Sequence, residues 1–327
     1  MTAVPISLPP AIRTALRADS RRIVLVGASG WIGQTVCALL DEALGDAVAD
    51  RLVCVGSAER TVMLPSGRTV VQRALSTLAD LPERTSLLLH LAFLTKDKVS
   101  GMSREAYVEA NKALARQVYD ALAPIGVDRL FIASSGAAAF ADDVESLEDL
   151  RLYGRLKRDD EDLFAGWADA DPTRRRAAIC RIYSVSGPFI NKHDTYALAN
   201  FIISALRSDP IAVRAPREVW RSYVAVKEVV AVAFGQLLAA DGPAVQRFDS
   251  GGEPLELGHV ARIVAEELGG EATGRPITET PPNRYCGDHP GWLALLRKNG
   301  LEHIGLPEQV RETARFLASL EAGSIRV

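Results

Sequence analysis

The stretch IVLVGASGWIG, residues 23–33, joins a continuous apolar run to three glycines with the spacing G-x-x-G-x-x-G. The run Ile23–Val26 is typical of a strand that is buried on both faces of a parallel sheet. Gly27 permits a tight turn out of that strand, Gly30 allows close approach of a ligand to the backbone, and Gly33 allows the next helix to pack on the sheet. The stretch therefore predicts a strand, a turn and a helix in direct succession.

The predicted helix, Thr35–Leu44, begins beside this turn. A helix N-terminus offers backbone N–H groups and a partial positive charge to phosphate. The segment therefore predicts a cradle for the pyrophosphate of a dinucleotide, and an ordinary glycine-rich turn is the alternative. The predicted cofactor-binding residues of the turn are Gly27, Ser29, Gly30, Trp31, Ile32 and Gly33.

A second motif, YGRLK at residues 153–157, places Tyr153 and Lys157 four residues apart. In a helix these side chains share one face. A free tyrosine has a pKa near 10, and a nearby ammonium favours the phenolate. The pair can therefore move a proton to or from a substrate oxygen while a cofactor carries hydride. A packed tyrosine with a solvated lysine is the alternative, which the order of the two motifs disfavours.

Composition limits the class of protein. The chain has 327 residues, 48% of them hydrophobic, and a net charge of −3, which gives no general attraction for nucleic acid or membrane. No apolar stretch reaches the roughly 20 residues that span a bilayer, and the N-terminus lacks a secretory apolar region. The four cysteines form no C-x-x-C pair, and the nearest approach to a metal motif, Cys286 with His289, lacks a second pair. We therefore expect a cytoplasmic protein without a metal site.

Strand-like runs alternate with helix-like stretches along the first part of the chain. This alternation predicts an α/β fold, a Rossmann-type doubly wound parallel sheet with a smaller C-terminal substrate-binding lobe. We expect the dinucleotide-binding domain at 21–186, after an N-terminal extension at 1–20, and a partly interleaved lobe at 187–327. The predicted strands are Ile23–Val26, Leu52–Val55, Thr69–Val71, Ser86–Leu89, Arg129–Ala133, Ala178–Val185 and Ser222–Val226. The predicted helices are Ala11–Ala18, Thr35–Leu44, Arg104–Leu122, Leu152–Trp167, Val260–Leu268 and Pro307–Leu317.

Several segments, in order, resemble the extended short-chain dehydrogenase/reductases of the NAD-dependent epimerase/dehydratase family. HLAF at 90–93 resembles H-L-A-A, FIASS at 131–135 resembles the fifth strand, and RIYSVSGP at 181–188 resembles R-x-x-N-V-Y-G-P. RSYVAV at 221–226 resembles R-D-F-V-H-V, and Asn111 stands where the family has an asparagine. The resemblance implies that Leu91, Ala92 and Phe93 lie against the cofactor, and that Tyr153 and Lys157 also contact it, Lys157 through the nicotinamide ribose.

The resemblance also implies a serine or threonine at the end of the fifth strand, as the third catalytic residue beside Tyr153 and Lys157. Ser135 takes this place if the serines are aligned. If Phe140 is aligned with the family's tyrosine instead, Gly136 falls on the position and the hydroxyl is missing. We favour Ser135, because the predicted strand ends there.

The adenosine ribose of the cofactor, which carries the 2′-phosphate in NADP, is expected at the end of the second strand. NAD-binding sites normally offer a carboxylate there, but this chain reads Val55-Gly56-Ser57. Ser57 and Arg60 could instead receive a 2′-phosphate, which favours NADP modestly over NAD. Glu59 could still serve the ribose of NAD, and Arg60 could be a solvated loop residue.

For the substrate, the resemblance assigns Arg221 to the diphosphate of a nucleotide-sugar, where a guanidinium suits phosphate oxygens. Ser184 and Lys192 are further predicted substrate residues. We expect an NAD(P)-dependent reductase or epimerase of a nucleotide-linked sugar, acting as a homodimer, without nucleic-acid or membrane partners. Dehydration would need an added acid/base pair, which Gly136-Ala137 does not supply. A reductase of another carbonyl compound and a non-catalytic dinucleotide-binding regulator are the alternatives.

Overall fold

A computed structural model describes residues 6–95, 101–193 and 195–321. They fold into two compact units, and the chain passes between them more than once. Of the described residues, the first unit contains those within Ser7–Arg181 and Ala233–Phe248, and the second contains Ile6 and those within Ile182–Val232 and 249–321. The domain boundaries expected from the sequence stay a prediction.

An eight-stranded sheet forms the centre of the first unit. Its strands are β1 (Arg22–Val26), β2 (Leu52–Gly56), β3 (Arg60–Met63), β4 (Thr69–Ala74), β5 (Ser86–His90), β6 (Val127–Ser135), β7 (Arg176–Ile182) and β11 (Val245–Asp249). The order across the sheet is β11-β7-β6-β5-β1-β2-β4-β3. Strand β1 pairs in parallel with β2 and β5, β5 with β6, and β2 with β4, whereas β3 runs antiparallel on β4. The predicted α/β fold with a Rossmann-type sheet is confirmed.

The register brings the chemistry-bearing segments to one edge of this sheet. Val26 lies opposite His90, and His90 lies opposite Ile132. The carboxyl ends of β1, β5 and β6 therefore meet at a common edge, which is where ligands bind in open α/β sheets. Three segments therefore lie at that edge: the glycine turn, the segment after His90, and the end of β6 at Ser135.

The helices of the first unit cover a largely apolar sheet centre. They are α1 (Pro10–Ala18), α2 (Trp31–Leu44), the short α3 (Val48–Arg51), α4 (Arg104–Leu122) and α5 (Glu148–Asp169). All five residues of β1 are buried, as the apolar run predicts for a strand covered on both faces. Leu88, Val118 and Phe164, from β5, α4 and α5, belong to one buried cluster with β1. This cluster fixes α5, and hence the Tyr153–Lys157 segment, against the sheet.

The second unit contains smaller sheets and several helices. Its elements are β8 (Ser184–Ser186), α6 (Ala197–Leu206), β9 (Ile211–Ala212), β10 (Arg217–Ala225), β12 (Pro254–Glu256), α8 (Leu257–Leu268), β13 (Ala272–Thr273), β14 (Glu279–Tyr285), α9 (His289–Lys298) and α10 (Leu306–Glu321), while α7 (Val226–Leu238) spans the boundary between the units. Strand β10 is central, pairing with β12, β14 and β8. No helix in the described ranges is both long and apolar enough to span a membrane.

Two predicted elements differ from the structure in an informative way. The predicted helix Thr35–Leu44 begins earlier, at Trp31, because Gly30 serves as its N-cap and Gly33 is accommodated in the first turn. The predicted strand Ala178–Val185 is wrong as one element, because β7 ends at Ile182 and β8 begins at Ser184. The chain leaves the large sheet at this break, and β8 pairs with β10 instead.

Glycines permit two backbone-to-backbone contacts that the fold requires. A methyl group at Gly33 would clash with the carbonyl oxygen of Gly27, so α2 can lie on the turn only without a side chain there. A methyl group at Gly154 would clash with the carbonyl oxygen of Ala137, so α5 packs directly on the short 3-10 turn after β6. Gly154 therefore sets the distance of Tyr153 and Lys157 from the end of β6.

Gly154→Ala should destabilise the protein by about 1–3 kcal/mol, because the added methyl forces α5 away from the turn at Ala137. Gly166, on the same helix, is the matched control, because a methyl there meets nothing within 4 Å in the described structure. Gly166→Ala should stabilise the protein by up to about 1 kcal/mol through helix propensity. Urea denaturation measures the free energy of unfolding of both variants, and equal effects of the two substitutions would contradict this packing.

Candidate active site

The turn after β1 has the backbone geometry that its glycines allow. Gly27 has φ +98°, which favours glycine, and a methyl there would lie 2.8 Å from the Ala92 backbone nitrogen. Its N–H donates to the Val55 carbonyl, and the Gly30 N–H donates to the Gly27 carbonyl. The turn is thus tied to β2 and closed on itself, next to the segment that follows β5.

The N-terminus of α2 opens toward this turn. Its N-cap, Gly30, has no side chain to cap the helix, and the first turn contains no acidic residue. Trp31 and Gly33 are buried, Ile32 is half-buried, and Ser29 is exposed. The backbone N–H groups and the helix dipole of this end therefore favour an anion.

Gly30 differs from Gly27 and Gly33 in having room for a side chain. Among the described residues, a methyl at Gly30 would meet only the Gly27 carbonyl oxygen, at an ordinary 3.5 Å. Packing within the protein therefore explains why positions 27 and 33 need glycine, but it does not explain the glycine at position 30. A ligand that approaches the backbone at Gly30, such as a pyrophosphate, supplies the missing reason, so the residues present fit a dinucleotide.

The segment after β5, residues 91–95, is held from both sides. The Leu91 N–H donates to the Val26 carbonyl at 2.9 Å. The buried Asn111 side chain accepts from the Leu94 N–H at 2.9 Å, and its amide nitrogen lies 3.4 Å from the Leu94 carbonyl. These bonds fix the backbone that carries Ala92 and Phe93 beside the glycine turn.

Lys157 lies deep in the first unit, with 5% of its surface exposed. Its ammonium donates to the Ala133 carbonyl at 2.9 Å and lies 4.0 Å from the centroid of the Phe93 ring. Burial lowers the pKa of Lys157 to about 8, and the nearby carboxylates of Asp160 and Glu161 act in the opposite direction. The side chain is therefore mainly a buried ammonium at neutral pH.

Burial also shifts the pKa values of two groups near Lys157. Burial, followed by the charge of Lys157, lowers the pKa of His90 to about 3, so His90 is neutral. Burial raises the pKa of Asp160 to about 6, although Lys157 opposes the shift. Glu161 accepts from Ser134 and forms a two-pronged pair with Arg181, at 2.9 and 2.8 Å.

Tyr153 and Ser135 lie on the elements that Gly154 brings together. Tyr153 is half-buried on α5 and packs edge-on against Phe93, with ring centroids 5.3 Å apart. Ser135 is the last residue of β6, and its hydroxyl oxygen accepts from the Ala137 N–H at 3.2 Å. The hydroxyl therefore stands at the carboxyl edge of the sheet, as the serine alignment expects, and its catalytic role stays a prediction.

Asp160 was not among the residues predicted from the sequence. It lies three positions after Lys157 on α5, and residues with this spacing share a helix face. The spacing could therefore have identified it. Phe93 was predicted only as a cofactor contact, and its position over the ammonium could not be read from the sequence.

The residues at the end of β2 are open to solvent. Ser57 and Arg60 are both exposed, and Arg60 begins β3 opposite Gln72. Glu59 is exposed between them. The two groups that the sequence offers to the ribose, the Glu59 carboxylate and the Arg60 guanidinium, are therefore both exposed and adjacent in the chain.

The predicted substrate residues lie in the second unit. Arg221, on β10, donates to the Trp220 carbonyl and to the Asn283 side chain, each at 2.8 Å, and its guanidinium lies 5.9 Å from the Tyr285 ring. Glu218, a carboxylate that could have paired with Arg221, accepts instead from the Trp220 indole. The guanidinium is thus held by neutral groups.

The other two predicted substrate residues differ in exposure. Ser184 is buried on β8 and is hydrogen-bonded to the Tyr196 phenol, which also accepts from the Val185 N–H. Lys192 is half-buried, and its carbonyl accepts from the Tyr196 N–H. In the same unit, His289 contacts the Gly251 carbonyl. No group of three or more potential metal ligands exists in the described ranges.

The fold and the order of the motifs define an extended short-chain dehydrogenase/reductase. More specifically, the chain belongs to the NAD dependent epimerase/dehydratase family, whose model matches residues 23–246. Sequence comparison finds no match among curated proteins. The family resemblance read from the sequence is confirmed.

Several solved structures share the fold. MoeE5 in complex with UDP-glucuronic acid and NAD has 20% identity and a TM-score of 0.69, covering 91% of this chain and 99% of that one. The UDP-N-acetylglucosamine 4-epimerase from Methanobrevibacter ruminantium M1 has 16% identity and a TM-score of 0.70, covering 92% and 99%. The UDP-glucose 4-epimerase from Thermotoga maritima has 18% identity and a TM-score of 0.68, also covering 92% and 99%. At these identities the likeness shows the fold alone.

The expected preference for NADP finds no support in these comparisons. The family description specifies NAD, and the MoeE5 structure contains NAD. The physical reason is that a missing carboxylate at Ser57 is weak grounds for a 2′-phosphate when Glu59 is two residues away and Arg60 is exposed.

Gly30→Val should abolish dinucleotide binding, because its branched side chain would occupy the space open to a pyrophosphate. The variant should fold normally, since a Cβ at Gly30 makes only an ordinary contact. Calorimetric titration with NAD measures the loss, and Gly274→Ala, at another position with open space, is the control. Unchanged affinity in folded Gly30→Val would exclude the predicted cradle.

Proposed function

We propose that this protein is an NAD-dependent epimerase or reductase of a nucleotide-linked sugar. The observation that carries the proposal is the buried Lys157 ammonium on the same helix as Tyr153, opposite the end of β6 and beside a glycine turn that fits a pyrophosphate. Such a site transfers a proton at one atom while hydride moves at the neighbouring carbon. Bound at the turn by Gly27–Gly33 and along the main chain of Leu91–Phe93, NAD would supply the hydride acceptor.

Tyr153 is the group that moves the proton. As the phenolate, its half-buried side chain takes the proton of a sugar hydroxyl when that carbon is oxidised, and as the phenol it returns the proton when the carbonyl is reduced. The buried ammonium of Lys157 favours the phenolate, because opposite charges in a poorly solvated site attract strongly. With a pKa of about 8, Lys157 keeps this charge at neutral pH and loses it above.

Ser135 orients the reacting oxygen. Its hydroxyl lies at the end of β6, where the oxygen accepts a hydrogen bond from the Ala137 N–H. The following residues, Gly136 and Ala137, carry no acid or base. This favours epimerisation or reduction over dehydration.

A nucleotide-sugar is supported by Arg221. The guanidinium is held by a carbonyl and a neutral amide rather than by a carboxylate, so its charge is left for an anion. The family resemblance assigns this position to the substrate diphosphate. Solved structures of the same fold contain UDP-glucuronic acid and UDP-glucose, which supports a nucleoside diphosphate.

Tyr153→Phe should lower turnover on the order of 100-fold or more, because the proton-transfer group is lost. NAD affinity should stay nearly unchanged, since the ring is retained. Lys157→Met should weaken both NAD binding and turnover, because the ammonium is proposed to serve both. Rates are measured with a panel of nucleotide-sugars, and a near-normal rate for Tyr153→Phe would exclude Tyr153 as the acid/base.

Arg221→Ala should weaken binding of the matching nucleoside diphosphate roughly 10- to 150-fold, because a charge-assisted contact of about 1.5–3 kcal/mol is lost. Affinity for NAD should be unaffected. The measurement is thermal stability with UDP, GDP, dTDP or CDP at millimolar concentration, for wild type and variant.

If none of these nucleotides stabilises the wild type, a nucleotide-sugar substrate is excluded. A reductase of another carbonyl compound would then explain NAD binding with Tyr153-dependent turnover. Glu218→Gln serves as a control, because Glu218 lies on the same strand as Arg221 and accepts from the Trp220 indole instead.

A further inference from the structure

The Phe93 ring covers the ammonium of Lys157. The ring centroid lies 4.0 Å from Nζ, and the same ring packs edge-on against Tyr153. Lys157 is almost fully buried, and its ammonium also donates to the Ala133 carbonyl. One aromatic side chain thus contacts both members of the proposed proton-transfer pair.

An ammonium over an aromatic face is attracted to it, and the attraction grows when water is excluded. Any polar ligand of Lys157 that approaches from the side of Phe93 must therefore replace this contact. The family motif H-L-A-A has a small alanine where this chain has Phe93. The covering ring is thus a feature of this chain, with no counterpart in the motif.

The backbone around Phe93 cannot easily move. Leu91 is bonded to the Val26 carbonyl on one side, and Leu94 is bonded to the Asn111 side chain on the other. The ring can therefore leave Lys157 by rotating its own side chain, which is half-buried and not enclosed.

We propose that Phe93 determines cofactor affinity by competing with the nicotinamide ribose for the ammonium of Lys157. Binding of an intact dinucleotide requires the ring to rotate away, whereas a ligand that ends at the pyrophosphate leaves the ring in place. The inference rests on the proposed function, because the ribose is assigned to Lys157 through the family resemblance.

The test compares three ligands by calorimetric titration of the full-length protein, freed of bound nucleotide. ADP ends at the pyrophosphate, ADP-ribose adds the ribose that carries nicotinamide in the cofactor, and NAD is the intact cofactor. Phe93→Leu and Phe93→Ala should bind ADP-ribose and NAD roughly 10-fold more tightly than wild type, because the competing aromatic face is removed. Affinity for ADP should be the same in all three proteins.

Tyr119→Leu is the matched control, because Arg116 lies 5.8 Å from the Tyr119 ring and the substitution removes the same kind of contact on α4. It should leave all three affinities unchanged. Equal or weaker binding of ADP-ribose by both Phe93 variants, with ADP bound normally, would overturn the role of Phe93. If wild type binds neither ADP nor NAD, the proposed function itself fails, which is a separate outcome.

Discussion

The close approach of one backbone to another at the carboxyl edge of the large sheet is the constraint on which the site depends. At Gly33 the second helix rests on the carbonyl of the turn that precedes it, and at Gly154 the fifth helix rests on the carbonyl of Ala137. Neither contact tolerates a side chain. Because the elements are in direct contact, the glycine turn, Lys157 and Ser135 are positioned by main chain, whose geometry varies less than that of flexible side chains.

Burial then determines the electrostatics of the site. The ammonium of Lys157 is removed from water, which lowers its pKa, and it is retained as a charge by Asp160 and Glu161 on the same helix. The same burial keeps His90 neutral, so that a second positive charge does not compete. The site thus contains a buried ammonium that has two carboxylates nearby and the Phe93 ring against it.

Most of the large sheet could be predicted from the sequence, because its central strands are continuous apolar runs and its glycine turn has a recognisable spacing. Other elements were missed for physical reasons. Strand β14 contains Pro281 and Pro282, which argue against a strand, yet it lies at a sheet edge where proline is tolerated. For the site, Tyr153 and Lys157 could be predicted from spacing, whereas the position of Phe93 over Lys157 depends on packing between distant segments.

The order of the chain also has a consequence for biosynthesis. Strand β11, at one edge of the large sheet, is formed by residues 245–249, after the chain has already supplied β8, α6 and β10 to the second unit. On a ribosome, the sheet that starts at β1 therefore stays without its last strand until the chain has been made as far as Asp249. A nascent chain released before that point exposes β7 as a sheet edge that is open to pairing with other chains.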